Sequence, residues 1–341
     1  MKKRSNFWDF YRLNLNTLRK WLSNFKEGSL IAVEIPEGVK GYINEVLNVM
    51  KGLRSDINYV VINEYIFGSC VLHLDLLREL GVDGLIHIGH EPYPYHYGSK
   101  IPTIYVKLES KLTLSDEDKE LLIRLIRANN VSSLIIYTTQ QHMDLADELT
   151  NYLSLNGFSI LNRDESKVIF GCYYPKPRTM ESKEPLGIIV IAGGKFHALG
   201  AGLAYLDRPV FHVDPYNGSV REVSNEVRKL LQIRYFKMSK AIDGDVWVLI
   251  NGVEGQRRTG LVNQVIKLLK DRGKKYVLIS SKYVNEELLR DIDNSDFNVY
   301  VVFSCPRVAI DDLGRFEKPV LTPGEAKMVL TGDLGRYIFP W

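Results

Sequence analysis

Apolar residues recur along this chain with two alternating periods. At the N terminus Trp8, Tyr11, Leu15, Leu18 and Leu22 stand three and four positions apart, which predicts one helix with a single apolar stripe within residues 1–27. Short apolar runs bounded by turn residues then alternate with amphipathic segments. Leu30–Ile35 predicts a strand, broken by Pro36-Glu37-Gly38 and followed by a helix to about Lys51. Tyr59–Ile66 predicts a second strand, Leu74–Leu80 a helix closed by Gly81, and Leu85–Ile88 and Thr103–Val106 further strands. The order then returns. A helix over Asp116–Arg127 leads to a strand at Ser133–Tyr137, a polar loop at Thr138–His142 and a helix to about Leu155. Strands follow near Phe158–Leu161, Val168–Phe170, Gly187–Ala192 and Val210–Val213. A third round runs from a helix near Val220–Ala241 through a strand at Val246–Ile250, a loop at Gly252–Arg258 and a helix at Val262–Leu269 to strands at Tyr276–Ile279 and Val299–Phe303.

The opening strands of the three rounds begin about 103 and about 113 residues apart, a period that suggests three copies of one α/β unit. Alternation of strands and helices predicts an α/β fold with mainly parallel sheets. The expected domains are residues 1–110 (the N-terminal helix and a first unit), 111–218 and 219–341. No low-complexity tract or long Pro/Gly linker separates them.

Composition narrows the function classes. Of 341 residues, 45% are hydrophobic and 25% charged, ordinary for a globular protein with a sizeable core. Lysine and arginine number 44 against 41 acidic residues, too balanced for a nucleic-acid binder. No apolar run approaches the roughly 18 residues that span a bilayer; the run at Leu186–Ala192 ends in Gly193-Gly194. The start, MKKRSNFWDF, lacks the apolar stretch of a signal peptide, so a cytoplasmic location is expected.

The three cysteines are Cys70, Cys172 and Cys305. An odd, sparse count without a Cys-x-x-Cys pair excludes a disulfide scaffold, a zinc ribbon and a thioredoxin-like motif. Taken singly, each is most simply a small buried hydrophobe. Yet one falls in each α/β unit, in FGSC (Phe67–Cys70), VIFGC (Val168–Cys172) and VVFSC (Val301–Cys305), where an apolar strand is expected to hand over to a loop. Open α/β sheets bind ligands at that edge. His87 and His90, with His96, have no HExxH motif or cysteine pair beside them, and a zinc site is not expected there. No GxxxxGK[ST] loop supports a nucleotide-binding enzyme.

An ordered set of motifs resembles the archaeal diphthamide-biosynthesis enzymes. The set comprises LGVDGLIHIGH (Leu80–His90), TTQQH (Thr138–His142), GGKFHALG (Gly193–Gly200), VDPY (Val213–Tyr216), GQRR (Gly255–Arg258) and SCPRVAIDDLGRFEKPVLTPGEA (Ser304–Ala326). The resemblance implies three related α/β domains around a central cluster site. A 4Fe–4S cluster would be held by Cys70, Cys172 and Cys305, and S-adenosylmethionine would be the co-substrate. The implied reaction moves a 3-amino-3-carboxypropyl group to C2 of a histidine on translation elongation factor 2 by a radical mechanism. Implied partners are that factor, an external electron donor and a second subunit, either a copy of the chain or a paralogue. Neither nucleic acid nor membrane is implied.

The implied chemistry suits these residue types. Thiolates are the soft ligands iron–sulfur clusters take, and three of them leave one iron open to substrate. The amides and cationic side chains of Gly255, Gln256 and Arg258 suit a methionine carboxylate, though a solvated surface loop has the same composition. Asp214 suits a ribose or amine donor, or simply a turn. His197 and Gly193 would line the pocket, and Arg307 would either pair with Asp311 or Asp312 or balance the cluster's charge. The chain departs from the family at Val71, Glu91 and Lys167-Val168, which leaves an alternative: a non-catalytic iron–sulfur subunit supporting a catalytic paralogue.

Overall fold

The computed structural model describes residues 6–95, 100–178, 185–252, 256 and 258–341. By contacts the chain divides into two compact units, Met1–Leu114 with Thr138–Tyr152, and Ser115–Tyr137 with Leu153–Trp341. Among the described residues the strands form three sheets of four or five strands and one two-stranded ribbon. No described helix is long and apolar enough to cross a membrane.

In the first unit the predicted single N-terminal helix is broken. Two short helices, α1 (Phe7–Phe10) and α2 (Leu15–Leu22), flank strand β1 (Tyr11–Leu13). Asn6 and Asn14 cap the two helices, accepting from Trp8 N and Thr17 N. Each Asn side chain starts a new helix, so the periodic stripe is not continuous. The main sheet holds β2 (Leu30–Glu34), β3 (Asn58–Ile62), β4 (Gly84–Ile88) and β5 (Thr103–Val106) in the order β3-β2-β4-β5, all parallel. Helix α3 (Ile43–Leu53) follows β2, and α4 (Leu74–Glu79) follows β3. Strand β6 (Leu108–Ser110) pairs antiparallel with β1. Ile31, Val33, Ile86 and Ile88 pack on one face against Leu18, Leu22, Val46 and Met50, and Ala32, Ile62 and Leu85 pack on the other against Leu77. Strands buried on both faces read as unbroken apolar runs, which is why they were legible.

In the second unit α5 (Asp116–Ala128) starts at Ser115, whose hydroxyl accepts from Asp118 N, with three acidic residues in its first turn. Strand β7 (Ser133–Thr138) comes next; α6 (Met143–Leu155), which follows in sequence, falls as far as Tyr152 in the first unit. Then come β8 (Ser159–Ile160), β9 (Leu186–Ile191), α7 (Phe196–Ala204), β10 (Val210–Asp214) and β11 (Ser219–Glu222), giving a sheet ordered β11-β10-β9-β7-β8. Two expectations are corrected here. Residues Val168–Phe170 form no strand: Phe170 and Tyr173 exchange backbone hydrogen bonds across a tight turn at Gly171-Cys172. The expected boundary at 218/219 cuts a hairpin, because β11 pairs antiparallel with β10 and belongs to the second sheet. Gly218, at φ +55°, closes that turn in a conformation that favours glycine.

The third sheet is built from α8 (Ser224–Ala241), β12 (Val246–Asn251), α9 (Thr259–Asp271), β13 (Lys275–Ser280), α10 (Glu286–Ile292), β14 (Val299–Phe303), β15 (Val320–Leu321) and α11 (Pro323–Thr331). Its order is β13-β12-β14-β15, all parallel. Trp247, Leu249, Val301 and Phe303 pack with Val265, Leu269 and Met328 on one face, and Val248, Ile250, Tyr300 and Val302 with Leu289 and Phe316 on the other. Helix α11 begins with a capping box between Thr322 and Glu325 and ends at Gly332, φ +79°.

Candidate functional site

All three cysteines are half-buried. Cys305 stands two residues past β14, as expected, at the carboxyl edge of the third sheet. Since β12 and β14 are parallel neighbours, with Asn251 opposite Phe303, Gly252 lies beside Ser304. Gln256 Oε1 accepts from the Cys305 amide at 3.2 Å. The close approach needs glycine at 252, where a Cβ would stand 2.5 Å from Ser304 Cβ and 3.2 Å from Phe303 O. Past Cys305 the chain enters a π-helical turn, Val308–Asp312, a form often found at functional sites.

Cys172 sits in its tight turn against the start of α7. A Cβ on Gly171 would lie 2.3 Å from the Phe196 ring, so that ring packs directly on the Cys172 loop. On Phe196 also lies the Arg307 guanidinium, 5.3 Å from the ring centroid. Arg307 Nε is 3.7 Å from Asp311 and 3.9 Å from Asp312, whose carboxyl groups burial pushes above their ordinary pKa against the pull of Arg307. Of the two expectations for Arg307, the pairing with the aspartates is the one observed.

Tyr174 feels the charges of both cysteines. Its hydroxyl donates to the His197 carbonyl at 3.2 Å. Burial, with the charges of Cys172, Cys305 and Asp311 added, pushes it well above the ordinary tyrosine range. Within this unit, therefore, one buried hydroxyl lies in the field of two thiols that stand about 130 residues apart in sequence. Tyr174 and Phe196 went unrecognised in the sequence; the signal for Tyr174 was its place two residues past Cys172.

Gly193-Gly194 and Asp214 meet at one turn, and His197 follows on α7. The Asp214 carboxylate accepts from Gly194 N at 3.2 Å, Tyr216 N at 3.0 Å and Asn217 Nδ2 at 2.9 Å. Burial alone would raise its pKa, but these donors outweigh it and hold the group below the usual range. Asp214 therefore organises the turn. The Tyr216 ring covers Gly193, where a Cβ would stand 2.9 Å from it. His197 Nδ1 is sealed from solvent without a hydrogen-bond partner. Burial, then Arg307 and His212, lower its pKa to about 4. Arg258, at the start of α9, lies 5.1 Å above the Trp341 ring. Gly255 lies outside the described residues, as does His96.

The depressed His197 pKa has a consequence for stability. Its ordinary value is 6.5, so between pH 6.5 and about 4 the unfolded chain takes up a proton that the folded chain refuses. Stability therefore falls as pH drops through that window. Urea unfolding at pH 7 and pH 5 is expected to show a loss in wild type that is smaller in His197→Gln.

In the first unit Cys70 lies eight residues past β3, because polar Asn63-Glu64 ends that strand early. Its loop is fastened by Ile66 N donating to Glu37 Oε1 at 2.9 Å and by the buried Ser69 hydroxyl donating to the Glu91 carbonyl. Beyond it a buried row runs through four side chains. His73 Nδ1 is 3.1 Å from Glu34 Oε1, His87 Nδ1 is 2.6 Å from Glu34 Oε2, and His87 Nε2 is 3.0 Å from His90 Nδ1. Burial works against the Glu34 charge, yet the bonds from His73 and His87 outweigh it and lower its pKa. Among the described residues no three His, Cys, Asp or Glu side chains form a ready metal-holding group.

A family model for diphthamide synthesis proteins matches residues 35–338. The chain is 28% identical to 2-(3-amino-3-carboxypropyl)histidine synthase of Pyrococcus horikoshii, over 88% of this chain and 85% of that one. To the enzyme of the same name from Methanocaldococcus jannaschii it is 25% identical, over 92% and 88%. The crystal structure of Dph2 from Pyrococcus horikoshii with a 4Fe–4S cluster superposes with a TM-score of 0.81 at 26% identity, covering 97% of this chain and 94% of that one.

Proposed function

We propose, from the fact that this chain belongs to the diphthamide synthesis protein family, that it is a 2-(3-amino-3-carboxypropyl)histidine synthase. The reaction is transfer of the 3-amino-3-carboxypropyl group of S-adenosylmethionine to C2 of a histidine on translation elongation factor 2, the first step of diphthamide synthesis. The observation that carries this reading is the meeting of the Cys172 and Cys305 loops around Tyr174 and Phe196. It is supported by likeness over almost the whole chain to a structure with a 4Fe–4S cluster.

Cys70, Cys172 and Cys305 hold the cluster. Half-buried thiols near a cation, Arg307, are the donor set iron–sulfur clusters take. When bound, the cluster supplies the electron that cleaves the methionine Cγ–S bond. The other residues bind and orient. Gln256 fixes the backbone at Cys305 and, with Arg258, holds the methionine carboxylate. Asp214 fixes the turn that presents Gly193 and His197, and its remaining lone pair accepts from the ribose or the methionine amine. The half-buried Tyr174 ring and the neutral His197 keep the pocket wall dry, so that the radical meets the target imidazole before it meets water. The chain works in the cytoplasm with an external electron donor, as a homodimer or with a paralogue.

With dithionite and S-adenosylmethionine, the anaerobically prepared chain is expected to release methylthioadenosine, whereas cleavage of the other bond gives 5′-deoxyadenosine. With an archaeal elongation factor 2, mass spectrometry is expected to find one 3-amino-3-carboxypropyl group on one histidine. A cluster-replete chain that modifies the factor only when a related subunit is added would establish the accessory reading instead. No modification under either condition would refute the substrate.

A further inference from the structure

The Cys70 loop carries two aromatic rings that the reading above does not use. Tyr65 is 57% exposed and Phe67 66%, and among the described residues no aromatic side chain is more exposed than Phe67. The two rings stack on one another, with centroids 5.6 Å apart and planes 4° from parallel, an offset pair. Apolar side chains scattered singly over a surface are ordinary, whereas a contiguous apolar patch marks an interaction site.

A fastened backbone displays this pair. Ile66, between the two, is 1% exposed, so side chains 65 to 67 alternate out, in and out. Ile66 N donates to Glu37 Oε1 at 2.9 Å, Lys40 Nζ donates to the Glu64 carbonyl at 2.5 Å, and the Ser69 hydroxyl donates to the Glu91 carbonyl. Binding to a loop that is already ordered costs less entropy, and aromatic rings are the side chains that most often anchor a protein interface.

The loop also sets the rings beside a thiol. Phe67 is bonded to Gly68, where a Cβ would lie 3.7 Å from Cys70 Sγ. Val71 N donates to Gly68 O at 3.3 Å, so the chain turns back at Ser69-Cys70 and holds the sulfur against the residue that follows Phe67. On the proposed function this sulfur binds the cluster, and a histidine carried by a folded protein has to reach that cluster from solvent. S-adenosylmethionine also offers a flat ring, but a co-substrate cleaved away from water is enclosed. Side chains more than half exposed on an open loop suit a protein surface better.

We infer that Tyr65 and Phe67 form a docking platform for the histidine-bearing loop of the protein substrate and pack on it beside the target imidazole. The inference rests on the proposed function. Both are substrate-binding residues, and no bond is made or broken at either ring.

The test uses the whole chain, anaerobically reconstituted, with an archaeal elongation factor 2, S-adenosylmethionine and dithionite. Wild type and Tyr65→Ala/Phe67→Ala are compared for iron and sulfide per chain, for KM of the factor and for KM of S-adenosylmethionine. The expected result is a KM for the factor raised about 10- to 30-fold, the loss typical of aromatic anchors, with iron content and KM for S-adenosylmethionine within about twofold of wild type. Tyr65→Phe/Phe67→Tyr keeps both rings and is expected to restore the KM for the factor. In a chain carrying p-benzoylphenylalanine at position 67, irradiation is expected to cross-link the factor segment that holds the target histidine. This second measurement decides the matter where the alanine variant loses iron. An unchanged KM for the factor, a raised KM for S-adenosylmethionine in its place, or cross-linking to a second copy of the chain and not to the factor each overturns the inference and leaves the proposed function standing. A wild-type chain that modifies no factor, alone or with a related subunit, overturns both.

Discussion

Replacing Arg234 with alanine is expected to destabilise the second unit by about 3–5 kcal/mol, the usual cost of breaking a buried ion pair from one side. Arg234 on α8 is fully buried. Its Nε and Nη2 meet the two Glu325 oxygens at 2.7 and 2.6 Å, its Nη1 donates to Ala309 O at 3.0 Å, and its Nη2 also donates to Val320 O at 2.7 Å. Glu325 further accepts from Tyr337 Oη at 2.6 Å and closes the cap of α11. Truncation strands a carboxylate and two carbonyls in the core. Against a typical domain stability of about 5–15 kcal/mol, that is a large fraction. Urea unfolding measures it. Arg234→Met with Glu325→Leu is expected to recover only part of the loss: no charge is left stranded, but the Ala309 and Val320 carbonyls, the Tyr337 hydroxyl and the Thr322 amide still lack partners. Ala309 lies in the π-helical turn directly after Cys305, so the single variant is also expected to hold less iron. An unchanged unfolding midpoint would mean that the network contributes nothing net.

Most of the sheet framework was readable in the sequence, for a physical reason. Parallel strands covered on both faces are short apolar runs between turns, and β5 and β14 begin and end where the runs do. The misses fall where that signal fails. Strands β1 and β6 have three residues each and pair only with one another, too short for a period. Helix α7, FHALGAGLA, is apolar nearly all round and rich in glycine, so neither amphipathicity nor propensity announced it. Strand β11 was hidden because the Asp-Pro-Tyr-Asn-Gly turn read as the end of a unit. The candidate site divides the same way. Residue types that chemistry demands, such as the cysteines, stand out in a sequence. The contacts that hold them do not: Arg234 and Glu325 are 91 residues apart, and Glu34 and His73 are 39. Nothing local in either member marks its partner.

Cys305→Ala is expected to lower iron retention sharply and methylthioadenosine release by more than about 100-fold. Changes beside a metal ligand typically cost 10–100-fold, and this one removes the ligand itself. The position has no evident substitute. Alanine keeps the backbone amide that donates to Gln256, so the loop after β12 stays in register and the loss belongs to the sulfur. Removing the thiol also takes away one of the two cysteines whose charges act on the Tyr174 hydroxyl. Cys172→Ala is expected to match Cys305→Ala, and Cys70→Ala to do the same if three thiolates are needed. Cys305→Ser is expected to fall between wild type and alanine, because a hydroxyl is a harder and poorer ligand than a thiolate. The measurements are iron and sulfide per chain after anaerobic purification, and methylthioadenosine under dithionite. Full iron content in all three alanine variants would remove the thiols from the site and, with them, the chemistry proposed for it.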